Sequence, residues 1–121
     1  MDKKEIAKLL KSITALPLDE KIEAINFIKT ELHAISPFKT EPVDCVVWVK
    51  GETVTANDYN PNSVAAPEME LLATSILSDG YTQPIVTWQA GEETEVIDGF
   101  HRNRVGKECK EVRQRVKGYL P

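Results

Sequence analysis

The sequence predicts an α+β protein with a helical hairpin at its N-terminal end. Three observations predict it. Apolar residues recur at helical spacing through residues 3–35 and again after Pro67. Short runs dense in β-branched and aromatic residues occur at Cys45–Val49, Ile85–Trp88 and Val96–Ile97. The last of these runs into Asp98-Gly99, a pair that tolerates positive φ and turns a strand abruptly into a helix.

Taken in order, Ile6, Leu9, Leu10 and Ile13 form one face of a helix over residues 3–15, which Pro17 ends. Asp19 is a candidate cap for a second helix with Ile22, Ile25, Phe27, Ile28 and Leu32 as its apolar stripe. This hairpin, residues 1–36, is either a cover for the following domain or a docking element, including one that makes a homodimer. Residues 37–43, with Pro37 and Pro42, read as a linker, and residues 44–121 as the main domain. There Cys45–Val49 is expected as a strand, 57–62 as an Asn/Asp/Pro-rich loop, and Pro67 as the start of a helix that directs Met69, Leu72, Ile76 and Leu77 inward and ends at Gly80. Ile85–Trp88 and the strand ending at Asp98 form a hairpin around a five-residue loop, Gln89–Glu93. A helix follows over Phe100–Cys109, and Val112–Val116 alternates as a strand does. Tyr119-Leu120-Pro121 closes the sequence without an evident cap.

Composition narrows the class. With 121 residues, 41% hydrophobic and 28% charged, the chain is one globular domain's worth and is not of disordered composition. Cys45 and Cys109 lie far apart without a CxxC, which favours free thiols over a disulfide framework or zinc site. No apolar run reaches the ~20 residues that span a bilayer, and no signal core follows Met1, so the expected location is cytoplasmic, away from membranes. The net charge of −4 is unevenly spread. Residues 44–98 hold Lys50 against ten acids, whereas residues 99–121 hold seven Lys/Arg against two Glu. The acidic middle disfavours a general DNA-binding face on this domain, because non-specific DNA affinity comes from clustered cations. The basic end suits a small phosphorylated ligand.

The candidate site is the turn at Glu95–Lys107. A helix start leaves backbone N–H groups unpaired and carries partial positive charge, so it attracts anions. Gly99 allows close backbone approach, and His101 and Arg102 stand in the first turn. Arg104, two residues on, points about 200° away and cannot share one phosphate with Arg102 in a regular helix.

Asp98-Gly-Phe-His-Arg-Asn-Arg-Val105 resembles the second nucleotide-contacting box of the ParB and sulfiredoxin superfamily, in which Gly-x-(His/Arg)-Arg opens a helix beneath bound phosphates. Asp79-Gly-Tyr-Thr-Gln-Pro-Ile-Val86 resembles the Gly-x-x-Gln-Pro-Ile segment that precedes it in ParB-type chains, and Asn57–Asn62 completes a resemblance running from about Val46 to the end. The wording is most similar to IbrB-type bacterial regulators, which carry a ParB-like domain. The resemblance implies a small mixed sheet with packed helices and a nucleotide triphosphate, ATP or CTP with Mg²⁺, held by Gly99, His101, Arg102 and Arg104. Gln83 and Asn60 would then lie near base or ribose. It further implies a regulator of transcription, a protein partner of the PAPS-reductase-like IbrA type, and DNA contact through segments beyond this one.

Departures from the family pattern shape the alternatives. ParB-type cytidine triphosphatases have Gly-Glu-Arg-Arg where this chain has Gly99-Phe-His-Arg102. Sulfiredoxins have a nucleophilic cysteine before the His-Arg pair, here Phe100, which cannot attack a sulfinic phosphoryl ester. ParB-like free-serine kinases have Asp-Gly-His-His-Arg, close to Asp98–Arg102. The alternative function is therefore an ATP-dependent phosphotransferase or nucleotidase, ParB-like nucleases included. Its candidate catalytic residues are Asp58 as base and Asp98, the latter as an outer-sphere magnesium ligand or simply the start of the turn. His33 is expected at the surface.

Overall fold

A computed structural model describes residues 1–56 and 66–121 and shows mixed α and β structure. The chain forms two compact units, Met1–Val47 and Trp48–Pro121.

The N-terminal unit holds α1 (Lys3–Lys11) and α2 (Leu18–Ala34). Asp2 caps α1, its Oδ1 accepting from the Lys4 and Glu5 N–H groups at 2.9 and 3.3 Å. The helix stops at Lys11 rather than near residue 15. Ser12, Ile13 and Thr14 bond back three residues, to Leu9, Leu10 and Lys11, which tightens the chain into turns ahead of Pro17. Helix α2 begins one residue before Asp19, with Pro17 in the cap position and no side-chain cap, because the Pro17 backbone itself turns the chain at φ −55°, ψ 156°. Residues 37–44 form no strand. They make turns ending in a 3-10 helix at Pro42–Asp44, which returns Asp44 to α2, where its Oδ2 meets His33 Nδ1 at 2.7 Å. His33 thus lies partly exposed at the surface, paired with Asp44. Hydrogen bonds from His33 and then Ser36 hold the Asp44 carboxyl below its usual value.

The second unit contains β1 (Val49–Lys50), β2 (Val54–Thr55), α3 (Ala66–Asp79), β3 (Val86–Ala90), β4 (Glu93–Asp98), α4 (Phe100–Glu108), α5 (Lys110–Arg115) and β5 (Tyr119–Leu120). Only Val49 of the predicted strand Cys45–Val49 pairs: Cys45 is already extended at φ −134°, ψ 98°, but β1 finds its partner only at the far end of the chain, in the two-residue β5. There Val49 faces Leu120 and Lys50 faces Tyr119, antiparallel. A second sheet has the order β2-β4-β3, with β2 parallel to β4 and β3 antiparallel to it. The hairpin ladder runs to Ala90↔Glu93, leaving two residues in the turn instead of five. Gly91 at φ 63° permits that reversal.

One expected strand is a helix. Val112 and Val116 share a face at strand spacing, but they also share one at i, i+4, and Val116 N–H donates to Val112 O at 3.0 Å in α5. Packing decides between these: Val112 is fully buried against Ile76 and Val105, and the helix leaves Gln114 exposed, where a strand would have turned it inward with the valines. The core has two clusters, Val54–Ile85–Val96–Leu120 and Ile76–Val105–Val112, with half-buried Tyr81 packed against both. Met69, Leu72 and Leu77 join the second cluster, as the helical spacing predicts, and Gly80 at φ 78° ends α3. Among the described residues, no helix is long and apolar enough to cross a membrane.

Candidate functional site

Helix α4 is aimed by its first two residues and by what lies behind them. Asp98 Oδ1 accepts the Gly99 N–H at 2.9 Å, closing the turn on its own side chain. Gly99 sits at φ 91°, ψ 30° in the cap position. Having no side chain, it cannot cap, and the first turn holds no acidic residue. Regular helical bonding starts with Asn103 N–H to Gly99 O at 2.8 Å. The amides of Phe100, His101 and Arg102 are therefore the first-turn donors that an α-helix leaves without intrahelical partners, at its positively polarised end.

Arg102 folds back over this turn. Its guanidinium lies so close to Gly99 that a Cβ there would be 2.9 Å from Nη2 and 3.3 Å from Cζ and Nε. Nη2 donates to Pro84 O at 3.3 Å, while Nε is buried with no partner among the described residues. The next residue, Asn103, is 3% exposed, and its Oδ1 is likewise unpartnered there. A buried polar group without a partner costs about 1–3 kcal/mol. Both such atoms lie on adjacent residues of one helical turn, one a cationic donor and the other an acceptor.

The structure brings Gln83-Pro84 and Gly99–Arg102 together through that Arg102–Pro84 bond, and Gln83 itself is exposed. His101 is half-buried and forms no hydrogen bond through its ring among the described residues. Arg104 does not join the group: it is exposed and its Nε pairs with Glu108 Oε2 at 2.8 Å, one turn along α4. Thr74 bonds its own helix at Glu70 O, and Ser75 is exposed. Asp58 and Asn60 lie outside the described residues. Among the described residues no cluster of three or more His, Cys, Asp or Glu could hold a metal ion.

Two positioning residues escaped the sequence reading. Tyr81 Oη donates to Arg102 O at 3.0 Å, and its ring meets Trp48 edge-on with centroids 6.2 Å apart. Burial pushes its phenol up to about 12, against the opposing charge of Arg102. Tyr81 stands within the Gly-x-x-Gln-Pro-Ile segment, so its place in that motif was the available signal. Lys107 donates through Nζ to Val54 O at the start of β2, and burial lowers its pKa. It ties α4 to the strand two residues ahead of Asn57.

No family model matches the chain. It is similar to YbdM. This uncharacterized protein of Escherichia coli K12 is 50% identical over 114 residues, which take in 93% of the present chain and 54% of the relative. The chain thus spans about half the length of the curated relative it matches. The resemblance extends over both units and covers the candidate site's surroundings, but the relative's description assigns no activity that could be carried across.

Proposed function

We propose that this chain is a ParB-like nucleotide- or phosphate-binding regulatory domain, of the kind carried by IbrB-type bacterial regulators. The observation that carries the reading is the Arg102 guanidinium folded on Gly99 at the uncapped start of α4, with a buried Nε unpaired among the described residues. Phosphate oxygens accept from backbone N–H groups and guanidinium together, which this turn offers side by side. A magnesium ion would arrive on the phosphates, since Mg²⁺ keeps much of its water and binds through one or two carboxylates plus substrate oxygens. Asp98 already supports the turn through Gly99 N–H, which favours its structural role over a catalytic one. On this reading the domain works in gene regulation with a protein partner, and DNA contact comes from other segments of the whole protein.

The test is a titration with ATP, ADP, CTP and GTP in the presence of Mg²⁺, followed by backbone amide shifts. Shifts are expected at Gly99–Arg104 and Gln83; silence there with every nucleotide refutes the site. Arg102→Ala is expected to weaken binding by about 1.5–3 kcal/mol while leaving the fold intact. An unfolded variant would instead make Arg102 structural. Nucleotide turnover abolished by Asp58→Asn would move the assignment to the phosphotransferase or nucleotidase class.

A further inference from the structure

The N-terminal unit buries none of its residues, whereas every buried residue among those described belongs to residues 48–121. Helices of 9 and 17 residues draw their stability mainly from burying an apolar face, so a hairpin with only half-buried side chains is incomplete by itself. The uncovered face has a definite pattern. Leu18, Ile25 and Leu32 recur every seven residues along α2 and remain 41%, 39% and 59% exposed. Ile22 falls between the first two at the companion position and Lys29 between the last two. Leu or Ile every seven residues, with Ile22 and then Lys29 at the companion position, is the spacing by which one helix lays a seam against another, here over two heptads. The Lys29 ammonium is drawn aside, donating to Val46 O at 3.0 Å.

The seam also has the extent that self-association needs. The fourteen helical rises from Leu18 to Leu32 span about 21 Å of helix. Beside it, Leu10 of α1 rims an apolar groove of about 210 Å³ shared with Ile13, Ile25 and Ile28. Covering the seam residues together with Leu10 and Leu16 would remove on the order of 400 Å² of apolar surface per copy, close to the apolar half of a standard interface of about 800 Å² per partner.

We propose that this seam docks a second copy of the same chain, giving a two-fold dimer in which two α1–α2 hairpins complete one another as a four-helix arrangement. Ile25 lies midway between Leu18 and Leu32, so a two-fold axis sets it against its counterpart in either sense of the two helices. The proposal is independent of the anion site.

The experiment is sedimentation equilibrium of the full chain from micromolar to millimolar concentration, with cysteine cross-linking in a Cys45→Ser, Cys109→Ser background. The expected result is a mass that doubles with concentration, with Ile25→Asp shifting the equilibrium at least tenfold toward monomer and leaving the amide spectrum of residues 66–121 unchanged. Ile25→Cys should oxidise to a covalent dimer, whereas Phe27→Cys, two residues round the helix, should not. A monomeric mass at every concentration overturns the proposal, including the case in which Ile25→Asp destabilises that monomer and the seam is covered within one chain. A dimer insensitive to Ile25→Asp, equal cross-linking at positions 25 and 27, or a chain that associates only with a different protein also overturns it.

Discussion

Replacing Gly99 by alanine separates the backbone role of this turn from its role in seating Arg102, provided Gly91→Ala is measured beside it. Both glycines have positive φ, 91° and 63°. An alanine in left-handed backbone costs roughly 1–2 kcal/mol, partly offset by about 0.4–1 kcal/mol from the stiffer unfolded chain. Each variant should therefore lose about 1 kcal/mol, lowering Tm by several degrees. What differs is the space around the new methyl. At Gly91 nothing lies within 4 Å, whereas at Gly99 the Cβ falls 2.9 Å from Arg102 Nη2. A guanidinium is the far end of a flexible side chain, so it swings away instead of unfolding the helix. If Arg102 holds a phosphate as proposed, the charge-assisted bonds lost with it are worth about 1.5–3 kcal/mol, or roughly ten- to 150-fold in affinity. Thermal unfolding and nucleotide titration of the two variants make the comparison. If Gly99→Ala binds within about twofold of Gly91→Ala, the methyl displaces nothing that matters and the role given to Arg102 is wrong.

Two further perturbations probe the support behind α4. Gly106→Ala would set a Cβ 2.4 Å from both Tyr81 Oη and Leu120 Cδ2, so it should destabilise the second unit by about 1–3 kcal/mol in denaturant unfolding and weaken nucleotide binding as Tyr81 leaves the Arg102 carbonyl. An unchanged midpoint would mean that the helix slides freely there. Tyr81 predicts a dependence on alkaline pH. Its folded value, about 12, lies above the ordinary value of 10.0, so the folded state holds this proton more tightly. The contribution to stability is full below pH 10 and is lost as pH rises toward 12. Partial exposure discounts it to about 1 kcal/mol. Unfolding of wild type and Tyr81→Phe across that range should show the larger loss in wild type, and ultraviolet absorbance should show a phenol titrating above pH 10 that Tyr81→Phe removes.

The sequence by itself determined the mixed α and β class, the hairpin helices, the Pro67 helix with its inward Met69, Leu72 and Ile76, the β3–β4 hairpin, and the strand–turn–helix at Asp98-Gly99. Each rests on residues a few positions apart, where apolar period, proline and glycine act locally. Packing decided the rest. Val112 and Val116 fit helix and strand spacing equally, and only the burial of Val112 against Ile76 and Val105 selects α5. The pairing of β1 with β5 joins residues seventy apart in sequence, which no local pattern encodes. At the site, the Gly-x-His-Arg segment was legible, but its geometry was not. Arg102 turning onto Gly99 and Pro84, Arg104 turning to Glu108, and Tyr81 holding the Arg102 carbonyl all follow from which groups the folded chain brings within hydrogen-bond reach. Residue type fixes what a side chain can donate or accept; only the tertiary structure fixes which partner it meets and which atoms stay unpaired.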